Sequence, residues 1–402
     1  MKEKMYQRRT NNTFNNKRRT FSARPARRIK TISYNDLMRE VDQSKSQSTS
    51  VTTDNAYIPE NRFDDFAISS GLKANIKFKG YVNPTPIQDK GIPMILEGKD
   101  VIGIANTGTG KTAAFLIPLI EKISKDRTQK VLIITPTREL ASQIAEELRT
   151  FARGMNQRSV LCIGGTSMYM QKKSLTFDPN FVIGTPGRLQ DLIRHRCLDL
   201  SLFNNVVLDE VDRMVDIGFI EEIKHLISLM PKDRQSLFFS ATISNEVKDI
   251  LKDFVREPID ISVKQREVCI NVKQEIIRIQ NGAKIETLHN LLIQKEVEKT
   301  LIFGRTKHGV QKLSDELVKR GFKAEALHGD KRQSQRLAIL KRFKRNEISI
   351  LLATDVASRG LDIDNISHVI NYDLPECHDD YIHRIGRTGR GDKKGIAITF
   401  VE

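Results

Sequence analysis

From residue 61 to the end of the chain, hydrophobic positions gather into short β-branched runs separated by longer amphipathic stretches. The runs at 101–104, 131–135, 160–163, 181–183, 206–208 and 237–239 are rich in Val and Ile and too short for helices. Between several of them apolar residues recur at helical spacing, as over 138–151 with Leu140, Ile144 and Leu148, and over 245–255. Strand, loop and helix repeated in this order predict a mostly parallel sheet with helices on both faces. The stretch 261–273, ISVKQREVCINVK, is charged and irregular and reads as an interdomain linker. Beyond it the alternation restarts, with strands expected at 300–303, 323–327, 348–353, 368–371 and 396–401 and helices at 307–320 and 333–343. The expected fold is therefore α/β in two tandem domains, 61–260 and 274–402. The last strand runs into the chain end at Glu402 with no closing helix, whether that end is the natural terminus or falls short of it.

Composition supports two cores, since 402 residues with 39% hydrophobic side chains exceed what one compact core needs. Charge adds a partner. Lys and Arg number 66 against 50 Asp and Glu, a formal charge of +16 that calls for an anionic surface. No apolar run approaches the roughly 20 residues that cross a bilayer, and no hydrophobic leader follows the basic N-terminus, so a nucleic-acid backbone is the expected anion. Residues 1–30 hold eleven Lys or Arg against one acid, and residues 1–60 lack apolar periodicity. They read as a disordered basic arm, either a solubilising tail or, as we favour, a nonspecific RNA-binding arm. Cys162, Cys197, Cys269 and Cys377 lie far apart, which suggests neither a zinc site nor a disulfide framework and fits a reducing cytoplasm.

Ligands of open parallel sheets bind beyond the carboxyl ends of the strands, so the residues just after each run carry the candidate chemistry. After 101–104 comes Ala105-Asn-Thr-Gly-Thr-Gly-Lys-Thr112, a P-loop pattern with Ala in place of its first Gly, followed by a helical stretch. Thr107, Gly108, Thr109 and Gly110 form a loop whose amides can turn toward phosphate. Lys111 supplies a point charge to the β and γ phosphates, and Thr112 offers a hydroxyl to Mg²⁺. The run 206–208 ends in Asp209-Glu210-Val211-Asp212. Two acids at the end of a buried strand are costly unless they bind something, and a magnesium-nucleotide site resolves that cost. Asp209 is expected to hold Mg²⁺, mostly through water, and Glu210 to orient and deprotonate the attacking water.

Asp209-Glu210-Val211-Asp212 resembles the signature tetrapeptide of the DEAD-box RNA helicases, with Val where that family usually has Ala. The resemblance extends over residues 63–401 in the family's order and implies two RecA-like domains that close on ATP and single-stranded RNA. Gly80-Tyr-Val-Asn-Pro-Thr-Pro-Ile-Gln88 is similar to the adenine-reading Q motif, with Tyr81 in place of the usual Phe, Gln88 as the adenine reader and Phe63 as the upstream aromatic. The resemblance implies RNA-backbone contacts from Arg138, Gly164, Gly165, Thr185 and Arg188 in the first domain. In the second it implies them from Arg305, Thr306, Arg336 and Thr354. Ser240 and Thr242, with Asp212 and His383, correspond to residues that couple nucleotide state to strand separation. Asp355 would contact the ribose. Arg387 and Arg390, in His383-Arg-Ile-Gly-Arg-Thr-Gly-Arg390, would reach across the cleft as arginine fingers toward the γ phosphate.

The implied function is RNA-stimulated ATP hydrolysis coupled to local opening of RNA duplexes or displacement of bound protein, by a cytoplasmic monomer that reads the backbone and not the bases. Which proteins it works with stays open, ribosome-assembly and RNA-decay proteins both being candidates. A weak-ATPase RNA clamp that anchors partners is the alternative. A DNA helicase with the same tandem core is disfavoured by the Q motif and the tetrapeptide.

Overall fold

The computed structural model describes residues 57–106, 108–263, 271–280, 282–358, 363, 365–389 and 393–402. The basic arm thus lies outside the described residues except for 57–60, as do Thr107, Cys269 and Arg390.

Two parallel sheets organise these residues. The first contains β1 (Val101–Ala105), β2 (Val131–Ile134), β3 (Ser159–Cys162), β4 (Phe181–Gly184), β5 (Asn205–Asp209), β6 (Gln235–Ser240) and β7 (Ile259–Val263) in the order β3-β4-β2-β5-β6-β1-β7. The second contains β8 (Val272–Arg278), β9 (Thr300–Phe303), β10 (Ala324–Leu327), β11 (Ile350–Ala353), β12 (His368–Asn371) and β13 (Gly395–Val401) in the order β10-β11-β9-β12-β13-β8. The central strands are buried on both faces, which is why they read as unbroken apolar runs. Consecutive side chains enter opposite cores: Val131 and Ile133 join one cluster of the first sheet, Leu132 and Ile134 the other. Leu301 and Ile302 divide the second sheet's faces in the same way. Each such residue, fully buried, stabilises the fold by about 1.5–3 kcal/mol.

The helices of the first unit are α1 (Ser70–Phe78), α2 (Pro86–Leu96), α3 (Lys111–Lys125), α4 (Arg138–Phe151), α5 (Met168–Leu175), α6 (Pro186–Arg194), α7 (Val211–Ile217), α8 (Ile220–Ser228) and α9 (Asn245–Phe254). Those of the second are α10 (Lys284–Leu292), α11 (Lys307–Lys319), α12 (Gln333–Lys344), α13 (Asp355–Ser358) and α14 (His378–Ile385). Hydroxyls start several of them. Thr137 accepts from the Leu140 amide, Ser244 from Val247 and Thr306 from Gly309, each satisfying a donor that the first helical turn leaves open.

Into the stretch expected to be a linker, β7 enters from one side and β8 from the other; residues 264–270 between them lie outside the described residues. Among the described residues no helix is long and apolar enough to cross a membrane.

Candidate active site

Because β1 lies next to β6, and β6 next to β5, the loops leaving these three strands converge at one edge of the first sheet. The P-loop leaves β1 and closes on Gly110, whose φ of +88° places it in the left-handed region as α3 begins. Behind it stands Gln88 of α2, 1% exposed, so close that a Cβ on Gly110 would collide with the Gln88 amide. That amide is held at both ends: Oε1 accepts from the Thr85 amide at 3.0 Å, and Nε2 donates to the Gly110 carbonyl at 3.1 Å. A second hydrogen on Nε2 and a second lone pair on Oε1 remain for another partner. Thr85 Oγ1 donates to the Thr109 carbonyl at 2.7 Å, and Thr109 Oγ1 to that of Asn106 at 2.8 Å. Phe63 is buried, edge-on to Phe66 and to Tyr81 with ring centroids 5.9 and 5.8 Å away.

Lys111 is buried at the head of α3 and donates to the Ala105 carbonyl at 2.8 Å. Thr112 follows it, half-buried. At the end of β5, Asp209 is 2% exposed, and burial pushes its carboxyl up to about 7 against the pull of Lys111, with the Glu210 charge adding to the rise. A buried carboxylate this costly to ionise fits a divalent cation, which would repay its desolvation, so Thr112 and Asp209 suit Mg²⁺. Glu210 turns the chain with φ +56°, a left-handed conformation that a non-glycine residue adopts only at some cost in strain. Its carboxylate is fixed by Arg213, one turn on in α7, through a buried ion pair at 2.9 Å. Arg213 was not among the expected site residues, although its spacing of three from Glu210 on a helix start could have announced it.

From the first turn of α7, Asp212 reaches the end of β6 and the turn after it. Its Oδ2 accepts from the amides of Ala241 and Thr242, both at 3.1 Å, and from Thr242 Oγ1 at 3.3 Å. Its own amide donates to Ser240 Oγ at 3.2 Å, and Ser240 Oγ donates to the Thr242 carbonyl. The structure thus brings Asp212, Ser240 and Thr242 into one hydrogen-bonded unit.

Farther along the same edge, the guanidinium of Arg138 lies against Gly164 and Gly165, where added Cβ atoms would sit 2.8 and 2.6 Å from it. Arg188 of α6 donates to Gln171 Oε1 at 3.0 Å, and Thr185 precedes that helix as its cap residue. Glu139, beside Arg138, points to the second unit: its Oε1 accepts from Gln333 Nε2 at 3.0 Å and from Arg336 Nε at 2.8 Å, all three buried. Arg336, expected at RNA, is thus engaged with Glu139 and with the His328 carbonyl at 3.3 Å. Glu139 carried no role in the sequence reading, because nothing local pairs an acid at 139 with residues nearly 200 positions away.

In the second unit Arg305 and Thr306 are exposed after β9, the Arg305 amide donating to Asp373 at 2.8 Å. Thr354 and Asp355 follow β11. Both Asp355 oxygens accept from Arg384, Nε at 2.6 Å and Nη2 at 2.7 Å, a bidentate fork. Arg384, 2% exposed, also donates to Asn371 and the Asp373 carbonyl and lies over the Phe303 ring at 5.0 Å. It too was missed as a site residue. Arg387 is buried, its Nε donating to the His383 carbonyl at 3.2 Å.

A P-loop, an acidic strand end hydrogen-bonded to a Ser-Ala-Thr turn, and a second parallel sheet with buried arginines are now in place. Residues 85–250 match the DEAD/DEAH box helicase family model and residues 283–392 the helicase conserved C-terminal domain. The chain belongs to the DEAD-box helicase family. Among its relatives, the DEAD-box ATP-dependent RNA helicase CshA of Bacillus subtilis is 44% identical over 341 residues, 84% of this chain and 69% of that protein. CshA of Limosilactobacillus reuteri is 44% identical over 342 residues, 85% and 69% of the two chains. Saccharomyces cerevisiae Dbp5 bound to RNA and ADP BeF3 superposes with a TM-score of 0.75 at 30% identity, covering 85% of this chain and 89% of that one. A DEAD box protein from Methanococcus jannaschii gives 0.51 at 37% identity, covering 86% and 94%. Like its relatives, this DEAD-box chain is built for ATP-dependent work on RNA.

Proposed function

We propose that this chain hydrolyses ATP when RNA is bound and uses the cycle to open short duplexes or strip protein from RNA, as a cytoplasmic monomer gripping the backbone. The observation that carries the reading is the bond set from Asp212 to Ser240 and Thr242, which ties the segment of the expected base to the strand end expected to couple nucleotide state to strand separation. In this reading Gln88 and Phe63 hold adenine, the amides of 108–110 hold phosphate, and Lys111 leaves the Ala105 carbonyl for the β and γ phosphates. Glu210, oriented by Arg213, takes the proton of the attacking water as its oxygen bonds to the γ phosphorus and ADP leaves. Thr112 and Asp209 hold Mg²⁺, which when bound neutralises charge on the phosphate oxygens. Asp355 faces the ribose, and Arg387 and Arg390 come from the second unit to the γ phosphate. His383 couples the two units, while Arg138, Gly164, Gly165, Thr185, Arg188, Arg305, Thr306 and Thr354 line the RNA, and Arg336 would reach it only by leaving its buried pair with Glu139.

The domain limits of 61–260 and 274–402 belong to the same proposal. The higher TM-score of the RNA- and nucleotide-bound Dbp5, despite its lower identity, supports a placement of the two units close to that bound state. The test is ATP turnover with and without RNA, alongside release of a short labelled duplex. Stimulation with release is expected. Stimulated turnover without release would instead favour the RNA clamp, and equal stimulation by DNA would remove RNA as the specific partner.

A further inference from the structure

The first turn of α2 carries two polar side chains with different tasks. Gln88 faces the P-loop, whereas the next residue, Asp89, turns away from it and is 2% exposed. Four donors converge on the Asp89 carboxylate. Oδ2 accepts from Tyr57 Oη at 2.5 Å and from the Glu60 amide at 2.7 Å. Oδ1 accepts from the Asn61 amide at 3.1 Å and from Asn61 Nδ2 at 2.8 Å. Two backbone amides and two side chains of one short segment are thereby fastened to a single helix position. Immediately after it, the Arg62 amide caps onto Asp65 at 2.7 Å, and Phe63 enters the aromatic cluster with Phe66 and Tyr81.

We propose that Asp89 is a positioning residue for nucleotide selection, tying segment 57–61 to α2 so that Phe63 is held at a fixed place beside the adenine-reading face of Gln88. The inference rests on the reading of Gln88 and Phe63 as the adenine pocket. Its physical basis is entropy. A five-residue segment loses backbone freedom at every residue when ordered, and the aromatic at its end can stack without that cost only if the segment is already fixed. A carboxylate suits this task because it accepts several bonds at once and each charge-assisted bond is stronger than a neutral one. Burial would raise the Asp89 carboxyl, but bonds from Tyr57 and Asn61 and the amides of Glu60 and Asn61 outweigh it and hold the group below its ordinary value. Burial first, and then the bond to Asp89, hold the Tyr57 hydroxyl above its own.

The experiment measures KM and kcat for ATP and for GTP, with saturating RNA, in the full chain and in Asp89→Asn, Tyr57→Phe and Gln88→Ala. Asp89→Asn should raise KM for ATP roughly tenfold and narrow the preference over GTP, with kcat within about twofold of wild type. Tyr57→Phe removes one donor from the segment and should raise KM about two- to threefold without touching the helix. A loss of kcat in Asp89→Asn equal to its rise in KM, with Tyr57→Phe unchanged, would make Asp89 a structural residue only and overturn the proposal. Unchanged selectivity in both, while Gln88→Ala loses it, would also overturn the proposal but leave the adenine pocket standing. A wild-type enzyme that uses GTP as well as ATP would overturn the pocket reading itself.

Discussion

The two sheets share a parallel plan and differ in how their polar residues are satisfied. At the edge of the first, Asp209 and Lys111 are buried near one another with few internal partners: Lys111 has a backbone carbonyl, and Asp209 has one amide and a carboxyl pushed up to about 7. At the edge of the second, the buried Arg384 is well satisfied, bonded to both Asp355 oxygens, to Asn371 and to the Asp373 carbonyl. Lys111 and Asp209 are under-satisfied and ready for a charged ligand, whereas Arg384 and Asp355 are already paired with each other. Such a division suits the proposed cycle, in which groups of the second unit reach a nucleotide held on the first, since prepaid ordering makes arriving groups effective.

The largest expected break in this comparison comes from Arg387→Lys, which keeps charge but loses the planar fork. Multiple-turnover rates with RNA should fall roughly 10³-fold or more while ATP affinity stays within a few-fold. Equal loss of binding and turnover would place Arg387 in the resting nucleotide site and erase the contrast between the units. On the first unit, Glu210→Gln should lower turnover by about 10²-fold or more with ATP binding intact, because an amide fills the site and takes no proton. A variant within tenfold of wild type would mean that another group is the base.

Where the units meet, Glu139→Gln removes the negative member of a buried ion pair and leaves the Arg336 guanidinium and the Gln333 amide facing a neutral side chain. Stimulation by RNA should drop about tenfold, while the RNA-free rate holds, if the joint serves the coupled state. An RNA-free rate that drops equally would show that the joint is merely structural.

The smallest effect is on stability against pH, and it has opposite signs in the two units. Burial lowers His328 and His368 of the second unit from 6.5. Their folded forms bind fewer protons than the unfolded chain, so stability is full above that value and declines as pH falls below it. Asp209 of the first unit is raised from 3.8 to about 7. It therefore favours folding most below 3.8, and that contribution is lost as pH rises to about 7. Hydrogen exchange followed separately in the two units between pH 5 and 8, without nucleotide, should show these opposite slopes; parallel slopes would contradict them.

Central strands were legible because they are buried on both faces: 300–303 and 368–371 agree end to end with β9 and β12. The edge strands β7 and β8 were not. One side of each meets solvent, so Ile259–Val263 and Val272–Arg278 mix charged with apolar residues and resemble irregular chain. The helix 138–151 was read to the residue because Thr137 caps it and its apolar stripe is regular.

By itself the sequence determined the alternating α/β plan, the P-loop, the acidic strand end and the membership in a helicase family, because each is written in residues close together along the chain. Only the tertiary structure decided that Glu139 joins Gln333 and Arg336, that Arg384 grips Asp355, and that Asp89 fastens Tyr57 and Asn61. Those pairings span between 28 and 197 positions. Local propensity carries no information over such distances, and the partners become known only once packing of the sheets has brought their strand ends and helix starts together.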